Sequence, residues 1–137
     1  YEGKTGAPYG MSAALAAQLA GSDAGRVDTW RKFGRTLGVL RQLANDQRDL
    51  VTERHEDLRN GSATYLLVHL LGNVSTARRA ELIDFHRQAR TSAEARTELK
   101  RAMLAADIVS SYAQTIAPIV RAARDTLASL GGDPQCV

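Results

Sequence analysis

Apolar residues recur every third or fourth position along most of this chain, and nowhere do apolar and polar residues alternate as in a half-buried strand. The longest such pattern begins near Ala24 or Arg26, after the stop-and-cap signal Gly21-Ser22-Asp23, and runs to about Glu53 or Arg54. It places Trp30, Phe33, Leu37, Leu40 and Ala44 on one apolar side. Before it, Tyr1 to Gly10 carries three glycines and a proline and reads as a loop or a broken helix end, followed by a small-residue helix over Met11 to Ala20. After it, Glu56 to Gly61 reads as a loop with Asn-Gly turn chemistry. Thr64 to Leu71 reads as a short apolar helix closed by Gly72-Asn73, and Ser75 or Thr76 caps a helix to about Gln88. Thr91 and Glu94 form a capping box opening a helix to about Ala105. The last pattern, Asp107 to Leu130, lines up Ile108, Tyr112, Ile116, Ile119, Ala123, Leu127 and Leu130. Pro118 lies inside it and should kink it, and Gly131-Gly132 should end it. The expected fold is all-α.

Composition agrees with that reading. At 137 residues the chain is at most one ordinary domain, and with aromatics at 5% its core must come from Leu, Ala, Val and Ile. The net charge of +3 suits an anionic partner. Yet the cations alternate with carboxylates at helical spacing, as in Glu94 to Lys100, and neither an aromatic platform nor a helix-turn-helix pattern accompanies them, so nucleic acid is not the expected partner. No apolar run nears the roughly 20 residues that span a bilayer. A single cysteine, Cys136, rules out an intrachain disulfide and makes a cytoplasmic protein the expectation. The chain begins at Tyr1, inside what reads as a motif, so a fragment or processed chain is expected.

Chemistry concentrates on the long helix. Gln42, Asn45, Asp46 and Asp49 fall within an arc of about 100°. Gly34 and Gly38 continue that side and should keep it open. Two carboxylates three apart beside an amide can share a hard cation such as Mg²⁺, which takes one or two carboxylates and fills its octahedron with water and phosphate oxygens. Lys4 and Thr5, between Gly3 and Gly6, offer a point charge and a hydroxyl to a diphosphate, although the surroundings do not match a P-loop. His55, His69 and His86 share no metal-ligand spacing; His69 should be packed and hydrogen-bonded, the other two on the surface. No serine lies in a G-x-S-x-G, so nucleophilic catalysis has no support.

Together these segments resemble the carboxy-terminal half of the trans-isoprenyl diphosphate synthases, the polyprenyl synthetase family. Gly3-Lys4-Thr5-Gly6 resembles the family's K-T motif. Phe33-Gly34, Gly38, Gln42 and Asn45 to Asp49 resemble its second aspartate-rich motif, F-G-x-x-x-G-x-x-F-Q-x-x-D-D-x-x-D. Asp57 to Thr64 resembles its D-L-x-x-G-K-x-T-L-P loop, and the final helix its closing helix. Arg41, Asn45, Ser62 and Leu66 depart from the pattern, standing where Phe, Asp, Lys and Pro are usual.

The resemblance implies an isoprenoid-synthase-type helical bundle of which residues 1–137 form about half. It implies Mg²⁺ as cofactor, with Asp46, Asp49 and Asn45 as metal ligands and Lys4, Thr5 and Gln42 toward substrate. The implied reaction ionises an allylic diphosphate and condenses it with isopentenyl diphosphate. A class I terpene synthase of the same fold, and a non-catalytic helical subunit that modulates a partner, are the alternatives. The first aspartate-rich motif and the isopentenyl-binding cations have no counterpart in this stretch. The missing half of the domain or a second chain should supply them, in a homodimer or heteromer.

Overall fold

A computed structural model describes residues 1–52 and 55–137, and among these every regular element is helical. Seven α-helices follow in chain order: α1 (Ala7–Leu19), α2 (Ala24–Val51), α3 (Glu56–Asn60), α4 (Tyr65–Gly72), α5 (Thr76–Gln88), α6 (Ala93–Met103) and α7 (Ala106–Ser129). A π-helical turn, Glu2–Gly6, leads into α1, and a 3₁₀ turn, Pro134–Cys136, follows α7. The all-α expectation holds. The expected far end of the long helix, Glu53 or Arg54, lies outside the described residues; α2 is helical to Val51.

The chain divides into two compact units. The first comprises residues 1–42 and 115–137, the second 43–114, so α2 and α7 each contribute to both. In the first unit, Phe33 packs with Ala123, Leu127 and Leu130, flanked by Trp30, Leu37, Leu40 and Val137, and the Trp30 and Phe33 rings meet edge to face. A second cluster joins Ala14, Ala17 and Val27. In the second unit, α6 packs against α4 and α5, and Leu58, Leu67, Leu70, Leu82, Leu99 and Met103 are completely buried. Leucine and alanine carry both cores, as so few aromatics require.

The helix ends follow their capping chemistry. Asp23 accepts from the Arg26 N–H at the start of α2; Thr64 accepts from Leu67 and Ser75 from Arg78 at the starts of α4 and α5. Gly21, Gly61 and Gly131 take the left-handed conformation beyond α1, α3 and α7. Pro118 sits within α7, which continues past it.

Three expectations are corrected. Residues 2–10 are helical: Thr5 and Gly6 both donate to the Tyr1 carbonyl, and Pro8 sits in the first turn of α1, where its missing N–H costs nothing. Residues 56–60 form a one-turn helix rather than a loop. The cap of α6 is Ser92, whose hydroxyl accepts from Ala95, so the helix starts one residue after the Thr91 box would place it.

Gly34 and Gly38 are also corrected. They do not hold a face open, because the backbone of the amino-terminal segment fills it. A Cβ on Gly34 would stand 2.5 Å from the Tyr9 carbonyl oxygen, and one on Gly38 2.8 Å from that of Thr5. From the other side, a Cβ on Gly10 would stand 2.9 Å from the Arg31 carbonyl oxygen. Glycines on both partners bring the two backbones together more closely than any side chain would permit.

Candidate functional site

That close approach sets the geometry at Thr5. The π-helical turn lies against α2, and the Thr5 hydroxyl donates to Gln42 Oε1 at 2.9 Å. Two expected substrate residues of the first unit are therefore joined directly, and the Gln42 amide is oriented by the bond. Lys4 belongs to the same turn with an exposed side chain, so its ammonium is presented to solvent one residue from the Thr5–Gln42 pair.

The three expected metal residues belong to the second unit and occupy three environments. Asn45 is exposed, Asp46 retains 8% of its surface and Asp49 is half-buried. Asp49 Oδ1 accepts from the Glu56 N–H at 3.0 Å and Oδ2 from the Asp57 N–H at 2.9 Å. Its charge thus caps α3, whose own N-cap, His55, gives no side-chain bond. A carboxylate oxygen has a second lone-pair direction, so Asp49 keeps accepting capacity beyond these bonds.

Beside Asp46 stands a group that periodicity alone assigns to the core. Tyr112, buried on α7, has its phenol pushed up, first by burial; a hydrogen bond from Gln47 works against that, and the Asp46 charge adds to it. The Tyr112 ring also packs against those of Tyr65 and His69. A small cavity of about 10 Å³, room for about one water, is lined by Asp46, Asp49, Asp57 and Thr64 over Leu58 and Met103. In the sequence Thr64 opens the short apolar helix and Asp57 lies in a loop, both in the stretch that resembles the D-L-x-x-G-K-x-T-L-P loop, and nothing in their spacing points to Asp46.

The histidines are accounted for by packing. His69 Nε2 lies 2.8 Å from Ser111 Oγ, and Ser111 itself donates to the Ile108 carbonyl. The Ser111 hydroxyl thus sits between the imidazole and a backbone carbonyl, a packed and hydrogen-bonded arrangement as expected for His69. His86 Nε2 meets the Ser62 carbonyl, and His55 Nε2 lies 3.3 Å from Lys100 Nζ. Both are half-buried rather than fully on the surface. Among the described residues no group of three His, Cys, Asp or Glu side chains is gathered closely enough to hold a metal alone.

The chain is thus all-α, with an amide and carboxylates along its longest helix and a lysine-threonine turn packed on that helix. Comparison with known families matches residues 1–116 to polyprenyl synthetase, and the chain belongs to that family. Membership assigns it to isoprenoid biosynthesis and, in general terms, to prenyl transfer. The match takes in the turn at Lys4, all of α2 and the α3 segment; the closing part of α7 lies beyond it. No curated protein and no solved structure matches the chain. No single helix among the described residues is long and apolar enough to cross a membrane.

Proposed function

We propose that the protein ionises an allylic diphosphate with Mg²⁺ and condenses the product with isopentenyl diphosphate. The observation that carries this reading is the polyprenyl synthetase match, which spans both the lysine-threonine turn and the acidic stretch of α2. The donors fit the metal. Asp46, Asp49 and Asn45 offer oxygen only, and Mg²⁺ takes one or two carboxylates when water and substrate phosphate complete its shell. A shared shell of that kind requires no cluster of three protein ligands.

In this reading Asp46 is the principal ligand, Asn45 a neutral one, and Asp49 contributes through the lone pairs its cap leaves over. Bound Mg²⁺ supplies neutralisation of the departing diphosphate. Lys4 adds a positive charge to the same leaving group, which favours the charge-separated transition state over the substrate. Thr5, held by Gln42, keeps the turn that carries Lys4 against α2. The remaining machinery comes from the other half of the domain or from a second chain, in a cytoplasmic dimer or heteromer.

The test is incubation of the complete domain, this chain together with the half that supplies the remaining machinery, with Mg²⁺, an allylic diphosphate and labelled isopentenyl diphosphate. A lengthened diphosphate is the expected product. A hydrocarbon or alcohol formed without isopentenyl diphosphate would assign a cyclase, a reading for which the departures from the elongating pattern leave room. An unaltered substrate would leave the non-catalytic subunit. Asp46→Ala should lower turnover by about tenfold or more, since it removes the charge that holds the metal.

A further inference from the structure

Several cations on the helix surfaces are neutralised within a turn: Arg31 and Lys32 pair with Asp28, Arg78 with Glu81, Arg87 with Asp84 and Arg101 with Glu98. Most other lysines and arginines make no ion pair among the described residues, and four of them lie around α3: Arg59 in α3, Arg90 in the turn between α5 and α6, and Arg96 and Lys100 on α6. They occupy one neighbourhood of the second unit. A Cβ on Gly61, the left-handed residue that ends α3, would lie 2.5 Å from Arg90 Nε and 2.7 Å from Arg90 Nη2. Arg96 turns its guanidinium back to the Ala89 carbonyl, at the root of the same turn. Lys100 reaches His55, where α3 begins, and the charges of Lys100, Arg96 and Arg59 all act on that imidazole. Among the described residues the carboxylate that acts there is Asp49, whose two oxygens already cap α3.

We propose that this group is an anion site for a diphosphate, with Arg90 supplying from the α5–α6 turn the positive charge that its neighbour in space, Ser62, lacks. Arginine suits the role because its planar fork binds two phosphate oxygens at once. Gly61 suits it because, lacking a side chain, it leaves the guanidinium lying on the backbone beside Ser62. A residue distant in sequence thereby restores a charge at the point where the D-L-x-x-G-K pattern departs. The proposal rests on the prenyl-transfer reading for the identity of the anion as the diphosphate end of the substrate.

Calorimetric titration of the whole chain with inorganic diphosphate in Mg²⁺ tests it. Arg90→Gln should weaken binding about tenfold or more, as loss of a charge-assisted pair with phosphate does. Arg121→Gln, which removes the same charge from an exposed position of the first unit, should change it less than about twofold. Ser62→Lys added to Arg90→Gln should restore the parent affinity. Thermal melts of each variant confirm that the fold is kept. Equal binding by the parent and Arg90→Gln, equal losses in the two arginine variants, or no rescue by Ser62→Lys would each overturn the proposal. Asp46→Ala separates the two readings. Loss there with none in Arg90→Gln leaves prenyl transfer standing without this site, whereas no binding by the parent removes both.

Discussion

The Asp49 carboxylate holds the first two N–H groups of a five-residue helix too short to be stable by itself. Asp49→Ala should therefore cost about 1–2 kcal/mol, the usual value of a lost cap. The Glu56 and Asp57 amides should then exchange faster in deuterium, and unchanged exchange would refute the assignment. His55 makes a second prediction. Burial, and after it the Lys100 charge, hold its imidazole below the ordinary 6.5, so the folded state favours the neutral ring. A lowered folded value means that the associated stability is complete above about pH 6.5 and is lost as the pH falls through that lowered value. Urea melts between pH 8 and pH 5 should show this loss in the parent and a flatter profile in His55→Gln. Parallel profiles would show that His55 is not the titrating group.

At the scale of elements, the glycines divide by what they touch. Gly34→Ala and Gly38→Ala would push a methyl group against backbone atoms of the amino-terminal segment, which cannot swing aside as a side chain can. Each should lower stability by about 1–3 kcal/mol, despite alanine's better helix propensity. Gly72, at the end of α4, meets nothing within 4 Å, so Gly72→Ala should raise stability by about 0.4–1 kcal/mol. Chemical denaturation of the three variants checks both signs, and a stabilised Gly34→Ala would show that the helices separate freely. The same glycines explain why residues 2–10 were illegible as helix. Read locally, Gly3, Gly6, Pro8 and Gly10 break structure, whereas in the fold Gly6 and Gly10 are contact surface and Pro8 a helix starter. The long patterns were legible because their apolar stripes are repeated over many turns, so Phe33 and Leu127 point to a core without knowledge of a partner. One-residue questions, such as Ser92 against Thr91, depend on cap geometry that both sequences satisfy.

At the scale of the molecule, the acidic stretch was legible as a group but not in its division of labour. Helical spacing puts Asn45, Asp46 and Asp49 on one side; which is buried, and which spends its oxygens on α3, depends on segments brought from far along the chain. Tyr112 reaches Asp46 from α7, 66 positions later, and no local pattern carries such information. These surroundings make the burial of Asp46 tolerable, since no buried side-chain polar atom among the described residues lacks a partner. If Asp46 holds the metal as proposed, metal and substrate are energetically linked. Mg²⁺ with few protein ligands binds weakly until a phosphate joins its shell, and diphosphate alone must bear the nearby carboxylate charges. Ligand bound only by the folded state adds RT ln(1 + [L]/Kd), about 2.7 kcal/mol at a hundredfold excess over Kd, or roughly 10 °C for a chain of this size. Thermal melts should therefore rise by several degrees with Mg²⁺ and diphosphate together and by much less with either alone. Asp46→Asn, similar in shape but without the charge, should abolish the excess while leaving the small effect of diphosphate alone. An equal rise in Asp46→Asn would remove Asp46 from the metal site, and additive rises in the parent would show that metal and diphosphate bind independently.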